Sequence, residues 1–272
     1  MPWTSEHIKW LRDTGERLLK AEEISVEVWE FHPANDDHIL SAWAKHFRNH
    51  YCLDCEIDDL RTGTGLDRSH YLTDVVFPNI STKLGPSIRA GDFAEILIAD
   101  YLEFILKYWV PRTRYDSKAV RDESTKGIDI IGFKIHTQEE SLNDTLFTFE
   151  AKAKITGNPR GNTLQDAVNG SAKDCNVRKS VCLNALKRRF IKLNNPCDAR
   201  KIERFQNKSD RPYQEMSGAA AVFSTSSFDE DAISNTDTSK HPNKESLYLL
   251  IIHGEDLMPL VHQLYRRAAD EA

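Results

Sequence analysis

Hydrophobic and polar side chains alternate without a break in F-T-F-E-A-K-A-K, residues 147–154. Successive side chains of a strand point to opposite faces, so this period of two predicts a strand with Glu150 and Lys152 on the same face. An ordinary strand with one face in water has the same pattern. Whether Glu150 and Lys152 form a catalytic pair therefore depends on what else the chain brings to that face.

Hydrophobic positions elsewhere predict the other helices and strands. Toward the N terminus, we expect helices over residues 4–24 and 38–51, with a strand at I-S-V-E-V-W-E-F between them. From residue 90 we expect a buried helix, three strands, a long helical region, a strand and a final helix. In chain order these elements comprise G-D-F-A-E-I-L-I-A-D-Y-L-E-F-I-L-K-Y-W, V-P-R-T-R-Y, G-I-D-I-I-G-F-K-I, T-L-F-T-F-E-A-K-A-K, residues 163–193, S-L-Y-L-L-I-I-H and M-P-L-V-H-Q-L-Y-R-R-A-A-D-E-A.

Two polar stretches interrupt this order. Residues 52–86 contain T-G-T-G and are typical of a linker, so we predict a domain boundary there. The prediction is an α+β N-terminal extension over residues 1–85 and an α/β domain over residues 86–272. Residues 224–246 are polar enough to predict a mobile loop.

The composition is that of an ordinary globular protein. The 272 residues are 40% hydrophobic and 29% charged, enough for one large domain or two modest ones. The chain has no apolar run of the roughly 18 residues that a membrane span needs, and its N terminus lacks the layout of a signal peptide. Five scattered cysteines fit a reducing compartment. A zinc site at Cys52-x-x-Cys55 is the less favoured alternative, because His46, His50 and His70 lie nearby but no second C-x-x-C or H-x-x-x-H follows. We therefore expect a cytoplasmic protein.

Charge is distributed unevenly along the chain. The net charge of -6 argues against a protein that coats nucleic acid unaided. Residues 173–201 nevertheless carry nine basic and two acidic side chains, a local balance of 9 - 2 = +7. This run includes Arg178, Lys179, Arg188 and Arg189, and it fits a solvated helix surface or a contact with a polyanion equally well.

Two further acids lie in segments that otherwise favour burial. Asp129 is flanked by Ile128 and Ile130, and a buried carboxylate needs a partner or a metal. The alternative is a structural aspartate bonded to backbone amides at the start of its strand. Glu95 lies on the apolar helix three residues after Asp92, so both side chains face the same side of that helix. This side faces a polar site, or it belongs to a first turn that is exposed to solvent.

Glu95, Asp129 and Glu150-Ala151-Lys152, in that order on helix, strand and strand, resemble the PD-(D/E)xK phosphodiesterase superfamily. Ile128 stands where the proline of that motif would be. The resemblance implies a restriction-endonuclease-like α-β-β-β-α-β core, with a mixed sheet flanked by helices.

The G-D-F-A-E-I-L-I-A-D-Y-L-E, K-G-I-D and F-E-A-K-A-K segments together resemble the nuclease-type A subunits of the Hachiman anti-phage defence system. This resemblance spans most of the chain, less clearly before residue 85. It implies a metal-dependent deoxyribonuclease of prokaryotic defence that works on DNA with a large helicase subunit.

The resemblance also implies roles for individual residues. Asp129, Glu150 and the Ala151 carbonyl would hold Mg²⁺ or Mn²⁺, and Glu95 would complete or orient the site, because hard oxygen ligands suit these ions. Lys152 would lower the pKa of a water molecule and stabilise charge on the phosphate. Weaker candidates for contact with phosphate, each equally consistent with an ordinary surface position, are Lys126, Lys154 and Gln165.

Two alternatives to a helicase-bound nuclease stay open on the sequence. A free-standing restriction or repair nuclease would use the same residues but read DNA itself, although residues 1–85 contain no recognisable DNA-binding motif. A catalytically silent scaffold subunit would keep the fold alone. The complete set of Asp129, Glu150 and Lys152 argues against a scaffold, which does not need these charged groups.

Overall fold

A mixed sheet forms the centre of the computed structural model, which describes residues 3–19, 24–116, 118–137, 141–157 and 161–272. Its strands within those ranges are β1 Leu11–Leu19, β2 Ser25–Phe31, β3 Ile130–Lys134, β4 Thr145–Lys154, β5 Gln214–Ser224 and β6 Leu247–Gly254. They lie in the order β1-β2-β6-β5-β4-β3. The four central strands are parallel, while the edge strands β1 and β3 are antiparallel to their neighbours.

Helices cover both faces of this sheet, which confirms the predicted α/β class. The α-helices of the described residues are α1 Asp37–Tyr51, α2 Ile57–Arg61, α3 Arg68–Tyr71, α4 Gly85–Asp100, α5 Thr163–Ser171, α6 Lys179–Lys192, α7 Pro196–Glu203, α8 Glu230–Ser234 and α9 Leu257–Asp270. Single π-helical turns follow α3 and α4 and precede α6, at Leu72–Val76, Tyr101–Ile105 and Asp174–Arg178.

The main core lies between one face of the sheet and helices α1, α4 and α9. Phe149, Val222 and Ile252 supply part of its strand side. The opposite face packs against α5 through residues such as Ala221 and Ile251. Because alternate residues of the central strands are buried on opposite sides, these strands have long apolar runs.

The predicted helix over residues 4–24 is wrong. A 3₁₀ turn, Glu6–Trp10, leads directly into β1, which pairs with β2 from Leu11 opposite Phe31. Gly15 has a φ of +74° inside this strand, at an irregularity in the pairing. Glycine weakens a helix by about 1 kcal/mol relative to alanine, and pairing with β2 outweighs the local helical pattern.

V-P-R-T-R-Y does not form the predicted strand. Among the described residues, an isolated bridge joins Trp109, the residue before this segment, to Phe133, so α4 is followed by two strands rather than three. Pro111 has no backbone N–H to donate to a ladder. Arg112 and Arg114 instead turn inward to meet acids.

Two other predictions need correction. The single helix expected over residues 163–193 is divided by the π-helical turn Asp174–Arg178. Residues 224–246 are folded rather than a structureless loop, since they contain α8 and bury Thr236, Thr238 and His241. The predicted helix over 38–51, the buried helix after residue 90, and the strands now called β2, β3, β4 and β6 are confirmed, as is the final helix α9.

Both sides of the predicted boundary at residue 85 contribute to the same sheet and core. β2 pairs with β6, and α1 packs against α9. The residues between 52 and 84 form the short helices α2 and α3 and a π-helical turn. Whether residues 1–85 and 86–272 are separate folding units stays a prediction.

Candidate active site

The acids converge where β4 extends beyond the end of its edge partner β3. Ile130, the first residue of β3, lies opposite Phe149, so Asp129 comes level with Glu150 just outside the ladder. The Ala151 backbone N–H donates a hydrogen bond of 3.0 Å to Asp129 Oδ2. This is the contact expected of a structural aspartate, but it uses one carboxylate oxygen and leaves the other for a second partner.

Arg114 joins Asp129 to Glu95. Its Nε donates to Glu95 Oε2 at 2.5 Å, and its Nη2 donates to Asp129 Oδ1 at 2.6 Å. The Tyr115 hydroxyl also donates to Glu95 Oε2, at 2.5 Å. The Arg114 guanidinium thus connects Glu95 of α4 to Asp129 at the end of the sheet, and both carboxylates contact the same positive charge.

Glu150 is held on the α5 side of the sheet. Its side chain is 9% exposed, and its Oε1 accepts a hydrogen bond from the Lys152 ammonium. Gly170 of α5 lies directly against the carboxylate, so a Cβ at position 170 would come within 2.5 Å of Oε1. Oε2 is buried and has no hydrogen-bond partner among the described residues, which leaves a carboxylate oxygen free to bind a ligand.

Asp174 is a sixth charged group near Glu150, and sequence reasoning did not select it. It is fully buried in the π-helical turn after α5, four residues beyond Gly170, and its Oδ1 accepts from Arg178 at 2.8 Å. Burial, followed by the charge of Glu150, raises the pKa of Asp174 to about 7. Since π-helical turns are frequent at functional sites, its position supports a site on this face.

The electrostatics tie the acids and Lys152 into one group. Burial and the charge of Glu95 raise the pKa of Asp129 well above its usual range, with Glu150 adding to this and Arg114 opposing it. Burial lowers the pKa of Lys152, but its hydrogen bond to Glu150 and the charges of Glu150, Asp129 and Glu95 outweigh burial and raise it. Lys152 is therefore a cation at neutral pH rather than a general base.

The donor set fits a hard divalent cation. Asp129 and Glu150 offer carboxylate oxygens next to the Ala151 carbonyl of the same strand, and these are the ligands that Mg²⁺ and Mn²⁺ prefer. The buried, unpartnered Oε2 of Glu150 is the clearest sign of such a ligand, because an unpaired buried charge is costly. Carboxylates that repel one another would be stabilised by a cation.

The basic candidates divide into two groups. Lys126, Arg188 and Arg189 line a cleft of about 370 Å³ together with Asp129 and Arg114. Arg189 also donates to Asp116 at 2.8 Å. Arg178 and Lys179 do not line this cleft; they pair with Asp174 and Glu215, respectively.

Gln165 and Lys154 lie away from the acids. The Gln165 amide donates to the Asp237 carbonyl at 3.0 Å and accepts from the Asp237 N–H at 2.6 Å, so it fastens α5 to the segment after α8. Lys154 lines a small pocket with Asn162 and Asp229. Their contact with phosphate stays a prediction.

The sequence reasoning missed Arg114, Tyr115, Gly170 and Asp174. Arg114 and Tyr115 lie in V-P-R-T-R-Y, whose interpretation as a strand hid their role; the proline and the two arginines were the available signal. Gly170 and Asp174 lie one helical turn apart, but no local pattern distinguishes a glycine that faces a strand.

A second polar cluster lies deeper, between α1 and α4. His46, His50 and Asp100 are buried, with ligand atoms within 4.8 Å of one another, and Arg112 lies among them. Its Nη2 is 2.6 Å from Asp100 Oδ1, and its Nη1 is 2.9 Å from His50 Nε2. Burial and the charge of Arg112 lower the pKa of His50 well below its usual value, so His50 is neutral. The spacing H-x-x-x-H of residues 46 and 50 was a signal for this pair.

A family model described as HamA matches residues 6–268, which is nearly the whole chain. The chain belongs to the HamA family. HamA membership indicates a component of the Hachiman antiviral defence system, which has more than one subunit. The match includes residues 6–85 of the predicted N-terminal extension. No curated protein matches the chain.

The HamA match agrees with the resemblance that the helix and the two strand motifs carry. The superfamily to which those motifs also point stays a prediction. Within the described ranges, none of the helices is both long enough and apolar enough to cross a bilayer.

Proposed function

We propose that this chain is the nuclease subunit of a Hachiman defence complex and cleaves DNA phosphodiester bonds with a divalent metal ion, under control of a helicase partner. The observation that carries the proposal is the arrangement around Glu150. A buried carboxylate with one unpartnered oxygen lies level with Asp129 and beside Lys152. HamA membership supplies the defence context.

Asp129, Glu150 and the Ala151 carbonyl would hold Mg²⁺ or Mn²⁺ in this proposal. When bound, the ion would act as a Lewis acid toward the phosphate and make a water molecule more acidic. Lys152 stays protonated beside Glu150 and stabilises negative charge that develops on the phosphate. One bond forms from water oxygen to phosphorus, one phosphorus–oxygen bond breaks, and the proton lost by water balances the proton gained by the leaving oxygen.

The cleft beside Asp129 is the proposed path of the DNA backbone. Lys126, Arg188 and Lys192 are exposed and line it. Cations along such a groove attract phosphates without selecting a sequence. The short basic surface and the net charge of -6 make weak binding by the isolated chain the expected state, so a helicase would supply most of the grip on DNA.

Cleavage of plasmid and single-stranded DNA in Mg²⁺ tests the proposal, for the chain alone and with the helicase subunit. Glu150→Gln keeps the shape of the side chain but removes its charge, and we expect a rate lower by about 10²-fold or more. Lys152→Met should lose activity while keeping the fold. Glu245→Gln is the matched control, because that side chain is 88% exposed. A Glu150→Gln protein with full activity would contradict the proposal.

The same experiment distinguishes the alternatives. Sequence-dependent binding and cleavage by the chain alone would favour a free-standing restriction or repair nuclease. Absence of cleavage with and without the helicase, together with absence of metal binding, would favour a scaffold subunit.

A further inference from the structure

The guanidinium of Arg114 lies between the carboxylates of Glu95 and Asp129. Five hydrogen bonds hold its guanidinium: two to Glu95, one to Asp129, and one each to the carbonyls of Ile128 and Thr125. Its side chain is 15% exposed. Arginine keeps its charge in proteins, so this positive charge is permanent.

The Arg114 guanidinium is a positive charge that faces both acids. Glu95 and Asp129 would repel each other across a buried position, and Arg114 lies against both. The planar fork of arginine suits such bridging, because several N–H groups point outward at fixed angles. The Tyr115 hydroxyl also donates a hydrogen bond to Glu95 Oε2. Glu95 thus has its carboxylate committed within the protein.

Glu150 contrasts with Glu95. Its Oε1 is paired with Lys152, but its Oε2 has no partner among the described residues. Asp129 lies between Glu95 and Glu150: its Oδ1 accepts from Arg114, and its Oδ2 accepts from the Ala151 backbone N–H. The free ligand oxygen therefore lies on the Glu150 side of Asp129, away from Glu95.

The second polar cluster also has an arginine guanidinium among side chains of the types that bind metal ions. His46, His50 and Asp100 have the composition and closeness of a metal site, yet Arg112 lies within 3.2 Å of a ligand atom of each. Arg112 and Arg114 are two residues apart in the segment that fails to form a strand. One stretch of chain thus supplies guanidinium groups to two clusters of ligand-type side chains.

We propose that Arg114 takes the place of a second metal ion, so that the site binds a single divalent cation on the Glu150 side. Glu95 is then a positioning residue that holds Arg114 rather than a metal ligand. This inference rests on the proposed function, because it concerns the same metal site. It assigns the nuclease to a one-metal reaction in which Arg114 holds Asp129 in place.

Counting bound Mn²⁺ in the full chain without nucleic acid tests the inference independently of activity. Electron paramagnetic resonance of free Mn²⁺ at pH 8, over a titration, gives the number of ions per chain. We expect one ion for the wild type and for Glu95→Gln, and none for Glu150→Gln. The exposed control Glu245→Gln should equal the wild type.

Substitutions of Arg114 test its role directly. Arg114→Lys keeps a positive charge and should still bind one ion, whereas Arg114→Gln leaves Glu95 and Asp129 without that cation and should bind two. Should Arg114→Gln fail to fold, the wild type, Glu95→Gln and Glu150→Gln still decide the question.

Two results would overturn the inference in distinguishable ways. Two ions in the wild type, one of them lost in Glu95→Gln, would show a two-metal site and leave the proposed nuclease function standing. No ion in the wild type would contradict the metal site of the proposed function, and the inference with it.

Discussion

Individual side chains in this site differ in how visible they are from sequence. Asp129 stands out because a charged residue interrupts an apolar run of the sequence, and Glu150 and Lys152 stand out because period-two alternation places them together. Arg114 has no such signal, since its position depends on a loop that brings it between α4 and β3. Local patterns predict side chains on regular elements well and those on irregular segments poorly.

Asp174 should make the stability of the protein depend on pH. Its pKa rises from an ordinary value of 3.8 to about 7 on folding, so the folded protein binds this proton more tightly than the unfolded chain does. Its contribution to stability is most favourable below pH 4 and is lost as pH rises toward 7. The full difference corresponds to about 4 kcal/mol, of which about 2–3 kcal/mol falls between pH 5 and 8.

Replacing Asp174 with asparagine tests this pH dependence. Asp174→Asn keeps an oxygen that can accept from Arg178 but removes the titration. The free energy of unfolding of the variant, minus that of the wild type, should increase by about 2–3 kcal/mol as the pH rises from 5 to 8. Urea unfolding without metal measures this difference. Asp166→Asn, at an exposed position on α5, is the control. A constant difference across this pH range would contradict the prediction.

At the scale of elements, regular hydrophobic patterns predicted most helices and strands, and tertiary contacts decided the exceptions. α1 and α9 follow their patterns because each has a clear buried side, and α4 and β6 follow theirs because they are buried almost all round. The segment that became β1 has helical spacing, but it pairs along β2. The turn at Asp174–Arg178 interrupts a helical pattern at a buried acid, a feature that hydrophobicity alone does not reveal.

The packing of α5 on β4 should be essential to the position of Glu150. A methyl group added at Gly170 would come within 2.5 Å of Glu150 Oε1, so Gly170→Ala must displace the carboxylate. Alanine favours a helix by about 1 kcal/mol over glycine, while overpacking costs about 1–3 kcal/mol, so we expect a folded protein. Cleavage and Mn²⁺ affinity should each fall by about tenfold or more.

Gly91→Ala provides the matched control for that substitution. Gly91 is also helical, in α4, and a Cβ there would meet no atom within 4 Å. The thermal stability of the Gly91→Ala protein should equal or exceed that of the wild type, and its rate of cleavage should be unchanged. Unchanged Mn²⁺ binding in Gly170→Ala would show that α5 does not set the position of Glu150.

At the scale of the whole molecule, the N-terminal residues are connected to α4, the helix that carries Glu95. His46 of α1 lies 3.0 Å from Asp100 Oδ1 at the end of α4, and Tyr51 donates to Asp92 Oδ2 at 2.6 Å. Burial alone would raise the pKa of Asp100, but the charges of His46 and Arg112 hold it well below its usual range. Composition could not predict these links, because they join residues far apart in sequence.

Removing residues 1–85 tests whether the predicted domain over residues 86–272 folds alone. The truncation would expose the edge of β6 that pairs with β2, and the side of α9 on which Tyr265 packs against Phe47. An unpaired edge and an uncovered apolar face favour aggregation. We therefore expect the fragment to lack the cooperative thermal transition of the full chain and to bind no Mn²⁺. A monomeric fragment with a sharp transition would instead establish residues 86–272 as an independent domain, and the contacts of α1 with α4 and α9 would then be those of a docked extension.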